Sequence, residues 1–436
     1  MEPKDSLEKN KHSFLRSKQQ IAIEYLRRTG FLSPVMREIA NHATKFFSLS
    51  ILGYIITFIA GVVIARILSK EEFGQFALIG AYLGICGFFE GGGFSIALTQ
   101  SVARGHHGLY RRSMLISFIG TIIGIALVGS IAWFTPLRDK IEGFTALYVA
   151  AAFWPFIIGL GKWAVFLDGK KKFATAKAWG VTKNVLSSIA VIVVVLLLGP
   201  SLIAIVICSY GVLLLWNLLC SYKVWRKEVE NDSVEPGIMR YGFMTSLYRI
   251  SFPIAGHIDK FIIVSCLGLK ELAVYYIATR IWGEIRVFQR ELTKLLIPYY
   301  ANMSALNRGV RRKIWVSFLI YTLGITLFAF TILPPVINIL FDGKYNESIF
   351  IAQILIISTP ILMLDLLFRR FITSKKDISG FRNITIIPNI FRILLFAIFI
   401  PAFKINGAVF SIVLTHMVML SVTMLTVKKF YKSQTP

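Results

Sequence analysis

Apolar positions in this chain run in long blocks separated by short polar turns. Twelve blocks reach the about 20 residues that a helix needs to cross the hydrocarbon core of a bilayer. They cover 44–68, 73–98, 112–135, 144–168, 175–198, 200–222, 241–267, 271–300, 314–334, 346–368, 383–402 and 405–427. The pattern predicts an all-α polytopic membrane protein with about 12 transmembrane helices. The turns are short, as in "TPLRDKIEG" at 135–143 and "GPS" at 199–201. None has room for a soluble catalytic domain of ordinary size. The activity therefore belongs within the bilayer or at its faces, and no enzyme is expected.

Composition agrees. Hydrophobic residues make up 56% of 436, charged residues only 16%, and the mean hydropathy is +0.67. The net charge of +25 would suit a nucleic-acid partner, but most of the charges sit in the short turns, where the positive-inside rule puts Lys and Arg. With the N-terminus placed in the cytoplasm, 29 Lys and Arg of the connections fall on the inner side and 6 on the outer. Both termini are then cytoplasmic, and nucleic acid is excluded. Residues 1–43 are polar and basic and lack the apolar stretch of a signal peptide. They read either as a surface helix holding Arg27, Arg28 and Arg37 against anionic lipid or as a solvated extension. Cys86, Cys208, Cys220 and Cys266 lie apart in apolar stretches and read as packed free thiols. The histidines show no metal-ligand spacing, and no metal or cofactor is expected.

The chain divides into two similar halves. A linker at 223–240 separates an N-terminal bundle at 44–222 from a C-terminal one at 241–428, with a short tail at 429–436. "LSKEEFGQFAL" at 68–78 resembles "LGLKELAVYYI" at 267–277. "GKKKFATAKAW" matches "SKKDISGFRNI" at the equivalent turn. Two matches at similar offsets suggest duplication, a plan common in secondary transporters.

Charges inside the apolar blocks carry the functional signal, because an ionisable side chain at mid-bilayer is costly unless it faces protein or water. In "ELAVYYIATRIWGEIRVFQRELTKLLIPYY", Arg280, Glu284, Arg286, Arg290, Glu291 and Lys294 fall within an arc of about 160° on a helical wheel, with Ile281, Ile285, Phe288, Leu292 and Leu296 on the opposite side. The stripe climbs about 21 Å. Snorkelling and an Arg280–Glu284 pair at i,i+4 would explain part of it; a water-filled cationic lumen explains all of it. Lys162, Lys183, Arg249, Lys260 and Arg392 are candidates for the same lumen, and Lys162, Lys183 and Arg392 would equally serve as snorkelers. Asp259, Glu284, Glu90 and Asp365 are either ion-coupling sites or salt-bridge partners, with Glu284 favouring the latter by its spacing. Pro155, Pro253, Pro360, Pro388 and the "EGGG" at 90–93 suggest bent helices around a cavity. In "SFPIAGHIDKFIIVSCLGL", Asp259 has no base at i±3 or i±4, so a base on another helix is expected, with Arg280 the first candidate. The equivalent first-half positions read "FIAG", uncharged, which places the substrate-facing charge mainly in the second half.

"ILSKEEFGQFALIGAYLGICGFFEGGGFSIALTQSVAR" at 67–104 resembles the first helix pair of the polysaccharide-unit flippases, the Wzx-type branch of the multidrug/oligosaccharidyl-lipid/polysaccharide exporter superfamily. Glu71, Glu72, Phe73, Gly74, Glu90 and Gly93 occupy that pattern. "HIDKFIIVSCLGLKELAVYYIATRI" followed by "LIPYYANM" is similar to its seventh and eighth helices at Asp259, Lys260, Leu267, Gly268, Glu271 and Tyr275. The basic N-terminus is longer than the family's. The resemblance implies two six-helix bundles around a central cavity. It also implies transfer of an undecaprenyl-pyrophosphate-linked oligosaccharide, as in O-antigen and other lipopolysaccharide assembly, across the bacterial cytoplasmic membrane. Expected partners are that substrate and membrane lipids, with H+ or Na+ as coupling ion and other polysaccharide-assembly proteins left open. The cationic stripe agrees in sign with a pyrophosphate, which Arg binds well. Trp282, Tyr275 and Trp163 offer faces for sugar stacking or for packing. A drug antiporter of the related type would need an acidic pocket, and a membrane enzyme acting on the same lipids would need a large outer loop.

Overall fold

The computed structural model describes residues 53–133, 136–249, 251–294, 308–374 and 378–432, and among these there is no strand. The proposed surface helix within 1–43 lies outside the described residues. In chain order the helices are α1 (Gly53–Ile67), α2 (Lys70–Cys86), α3 (Gly92–Ala103), α4 (Leu109–Ala132), α5 (Ile141–Leu160), α6 (Trp163–Gly169), α7 (Phe173–Leu198) and α8 (Leu202–Lys227). The second half continues with α9 (Ile238–Arg249), α10 (Ser251–Leu267), α11 (Leu269–Lys294), α12 (Arg308–Thr331), α13 (Leu333–Phe341), α14 (Glu347–Ile357), α15 (Thr359–Ser374) and α16 (Ile378–Lys432).

Each apolar block coincides with one helix or with two consecutive helices. The second, fourth, seventh, ninth and tenth blocks are broken, as α2/α3, α5/α6, α9/α10, α12/α13 and α14/α15. The last two blocks share α16, which divides at Lys404, where φ is 55° and ψ −138°. Among the described residues, seven helical stretches are long and apolar enough to cross a bilayer, and an eighth span is the α12–α13 pair, bent by 43°. Glycine and the helix ends place most of the breaks. Gly91, at φ +68°, closes the α2/α3 break. Pro360 lies in the first turn of α15, where a missing N–H leaves no bond unmade. Pro253 is likewise in the first turn of α10, whereas Pro155 and Pro388 lie inside continuing helices.

Within the first half α5 packs on α4 and α8, and α7 on α8. Within the second, α16 packs on α10 and α15, and α11 on α14. The halves meet along the broken second block: α2 lies against α10 and α11, and α3 against α9. The seam is close. A Cβ on Gly84 would sit 2.2 Å from the His257 Nε2, so only glycine lets α2 and α10 approach there. One apolar core runs through the seam, including Leu78 and Tyr82 from one side and Ile263, Tyr275 and Phe396 from the other.

The two faces of the molecule join the halves differently. On the face of the Leu68–Lys70 turn, the Lys344 ammonium donates to the carbonyls of Ala65 (3.0 Å), Arg66 (3.2 Å) and Leu68, the last carbonyls of α1. Tyr345 donates to the Ala65 carbonyl at 3.3 Å, Arg66 to the Ile339 carbonyl at 3.0 Å, and Lys70 pairs with Glu347 at 2.8 Å. Phe73 and Tyr345 pack edge to face. A capping box at Ser69 and Glu72 starts α2 beside this latch.

On the other, basic face, the link between α8 and α9 is strapped along the first half. Glu228 pairs with Lys172 at 2.5 Å, Glu230 with Lys170 at 2.7 Å, and Glu235 with Arg104. His107 Nδ1 accepts from the Glu230 N–H at 3.0 Å, and Asn231 Oδ1 accepts from the His107 N–H at 3.1 Å. The strap ends at Gly237, whose φ of +78° turns the chain into α9.

Candidate functional site

The charged residues of the apolar blocks fall into two groups with different fates. In the first half one pair neutralises itself and Lys183 stands apart. Lys162, at the α5/α6 break, donates to Glu90 at 3.0 Å and to the Ser95 hydroxyl at 3.1 Å. Its side chain is 3% exposed, so Lys162 does not snorkel. Glu90 stands at the α2/α3 break, and its carbonyl accepts from Ser117 at 2.7 Å. The pair thus fastens two helix breaks together. Lys183 is half-buried on α7, without an ion pair within 4 Å among the described residues.

In the second half one cluster brings together α10, α11 and α16. Asp259 is fully buried and accepts from the Tyr275 hydroxyl at 2.7 Å and from Lys260 at 3.2 Å. Arg286 stacks on the Trp282 ring at 4.2 Å and Arg392 on Phe396 at 5.1 Å. The two guanidinium groups lie within electrostatic reach of each other, and Arg392 within reach of Asp259. His416 packs on Trp282 at 5.6 Å and shares a hydrogen bond with Ser358. Against Lys260, Arg286 and Arg392 the cluster sets one acid, which Lys260 already holds. The Nε donors of Arg286 and Arg392 are buried without a hydrogen-bond partner. Aromatic faces offset part of the cost of burying a cation, by about 2 kcal/mol each when desolvated, against several for an unpaired charge. The excess positive charge makes this cluster a natural receptor for an anion.

Arg280 has a different role from the one expected. Its Nη2 donates to the Thr57 carbonyl of α1 at 3.1 Å. A Cβ on Gly61 would lie 3.0 Å from the guanidinium carbon, so Arg280 lies flat on α1 across the seam. It makes no ion pair with Asp259, whose partners are Tyr275 and Lys260, and none with Glu284 at i,i+4. The physical reason is proximity: the α1 backbone and the adjacent Lys260 are closer than the expected partners. The two edges of the α11 stripe therefore face different neighbours, Arg280 toward α1 and Arg286 toward α16. Ile281 and Ile285 pack in the core as the wheel predicts, but Phe288 and Leu292 are exposed.

Arg290 is exposed on the same helix, and Arg249 is exposed at the end of α9, with its guanidinium over Phe252 at 6.0 Å. The side chains of Glu291 and Lys294 lie outside the described residues. Asp365 is buried and clamped by Arg369 through two bonds at 3.0 and 3.3 Å, and Thr423 donates to it at 2.5 Å. It ties α15 to α16 and is an internal fastening. Trp163 donates to Asn217 at 3.0 Å, and with Tyr275 and Trp282 it is buried in the core, which assigns all three to packing. His416 and Gln289 were not singled out in the sequence. Gln289 is buried and bonds to Tyr321 and to the Thr359 carbonyl; one polar residue on an apolar helix face was the available signal.

A helical molecule of two halves, joined by a latch on one face and a strap on the other around buried charge, has the fold of a multi-pass membrane transporter. Solved structures with this fold include the lipid II flippase MurJ in an inward closed conformation, 14% identical, with a TM-score of 0.68 over 88% of this chain and 87% of that one. An inward-facing multidrug resistance MATE family transporter of the MOP superfamily is 16% identical, with a TM-score of 0.67 over 87% and 96%. An outward-facing MATE family transporter of that superfamily is 15% identical and scores 0.51 over 90% and 94%. No individual curated protein matches the chain in sequence. Residues 42–304, more than half of the chain, match the polysaccharide biosynthesis protein family, and the chain belongs to that family.

Proposed function

We propose that the protein is a flippase that carries undecaprenyl-pyrophosphate-linked oligosaccharide units across the bacterial cytoplasmic membrane by alternating access. The observation that carries this reading is the pair Arg286 and Arg392, each half-buried with a buried Nε that lacks a hydrogen-bond partner, and neither in an ion pair within 4 Å among the described residues. Guanidinium groups bind phosphate oxygens in two-pronged fashion, and a pyrophosphate headgroup would supply the missing negative charge. Arg249 and Arg290 extend the positive field toward the basic face, and Arg280 on the seam extends it toward the latch. The excess of Lys and Arg in the turns supports a cytoplasmic basic face with both termini there. The latch then closes the outer side, and 44–222 and 241–428 are the two bodies that rock. Glu90, Asp259 and Asp365 are each held by a base, which leaves Glu284 as the acid best placed to bind a coupling H+ or Na+. Export of a cationic drug is less well supported, because the acids such a substrate needs are already engaged.

The test is reconstitution of the purified protein in proteoliposomes. A fluorescent undecaprenyl-pyrophosphate oligosaccharide in the inner leaflet should become accessible to a membrane-impermeant quencher over time. A cationic dye should not move. Transport of the dye alone would overturn the reading.

A further inference from the structure

A cavity of about 410 Å³ lies in the first half, away from the cationic cluster, between the basic-face ends of α4, α5 and α8. That volume is typical of a small-molecule site. Met114, Leu115, Phe118, Phe156 and Leu160 form its apolar wall, and Arg111 and His107 stand at its basic-face end. Gly159 makes the space: a Cβ there would meet the Met114 carbonyl and Phe118 at 3.3 Å.

The direction in which the cavity opens follows from exposure along the helices. Leu115 continues the exposed row of Ile119, Ile122 and Ile123 on α4. Phe156 continues that of Tyr148 on α5, and Trp225 that of Leu218 and Tyr222 on α8. On apolar membrane helices these rows face lipid. The cavity is therefore a pocket opening to the bilayer, at the level of the basic-face leaflet. From Arg111 to Phe118 the wall runs about 10 Å along α4, the upper part of an acyl chain.

We infer that this pocket holds one acyl chain of a resident anionic glycerophospholipid, with its phosphate at Arg111 and Arg112. An acyl chain gains little by leaving other chains for an apolar pocket, so selectivity has to come from the headgroup. Arg111 and Arg112 are adjacent and exposed, and basic pockets between helices at this level hold anionic headgroups. Lys223 and Arg226 at the end of α8 add to the same field, against the single acid Asp232 at the rim. Asp232 is exposed and joins the strap. The occupant is a bilayer lipid and not the polyprenyl chain of a transported substrate, because the opening faces the lipid side of the first half whereas the cationic cluster lies in the second. This inference does not depend on the proposed substrate.

Native mass spectrometry of the purified full chain tests it, with phosphatidylglycerol, phosphatidylethanolamine and undecaprenyl phosphate as probes. Phosphatidylglycerol should be retained about tenfold better than phosphatidylethanolamine, and Arg111→Gln with Arg112→Gln, both on the surface, should erase that preference. Phosphatidylglycerol carrying a photoreactive acyl chain should label residues 111–118 and 156–160. Equal retention of the two phospholipids, labelling confined to other segments, or displacement of the label by undecaprenyl phosphate at equal concentration would each overturn the inference.

Discussion

The two halves differ in how they treat buried charge. In the first half Glu90 and Lys162 cancel each other across two helix breaks, with Ser95 completing the ammonium's bonds. In the second, Asp259 and Lys260 cancel and Arg286 and Arg392 are left over. A neutral pair can be a permanent part of the scaffold. Unpaired buried cations are costly and persist only where a ligand or water stabilises them. The comparison assigns structure to one half and binding to the other.

Matched double substitutions are the strongest way to break that assignment. Arg286→Gln with Arg392→Gln should lower transport about 100-fold or more in the proteoliposome assay while leaving thermal stability unchanged or raised. Lys162→Ala should do the reverse, destabilising by about 3 kcal/mol because Glu90 loses its partner. Removing both charges, with Glu90→Gln and Lys162→Met, should restore most of the melting temperature. Equal loss of transport from both pairs would end the distinction.

The latch sharpens the same comparison with a smaller effect. Lys344→Ala should shift the equilibrium toward opening on the latched face by about 1–2 kcal/mol, the worth of charge-assisted hydrogen bonds at a helix C-terminus. Spin labels at Asp139 and Lys270, both exposed on that face, should report a larger population of long distances. An unchanged distribution would show that apolar packing around Phe73 and Tyr345 closes the face alone.

The smallest effect concerns the strap, which belongs to the first half. Burial, and secondarily Lys170, lower the His107 pKa below its usual value of 6.5. The neutral ring is required, since Nδ1 accepts from the Glu230 N–H. A histidine with a depressed pKa leaves stability untouched above about pH 6.5 and removes it as pH falls below that value, where the unfolded form takes up the proton first. Proteolysis within residues 228–237 should therefore rise between pH 7.5 and pH 5, and His107→Gln should flatten the change.

The spans were readable from the sequence because twenty apolar residues in a row have few other uses. The breaks were only half readable. "EGGG" announced one, but Pro155 and Pro388 announced kinks at which the helices simply continue. A wheel correctly separated Arg280 from Ile281 and Ile285, yet it gives a direction and no neighbour. It could not say that Arg280 would meet the backbone of α1 or that Asp259 would meet Tyr275 sixteen residues on. Lys344 passed as an ordinary loop charge, because a helix end capped from a distant turn leaves no periodic signature. The cationic cluster itself was legible in part: Arg286, Arg392, Lys260 and Asp259 were all singled out, but not their grouping or the place of His416.

The latch has one more consequence. Lys344 grips backbone carbonyls at the C-terminal end of α1, where the helix carries about half a negative charge. One side of the contact is therefore a single replaceable side chain, and the other is main chain that every amino acid shares. Sequence drift in residues 65–68 leaves the acceptors in place, whereas one substitution at 344 removes the donor. The bond from Arg66 to the Ile339 carbonyl divides the risk the other way, so each half holds the other's main chain through one basic side chain, and the gate is exposed to substitution at 66 as well as at 344.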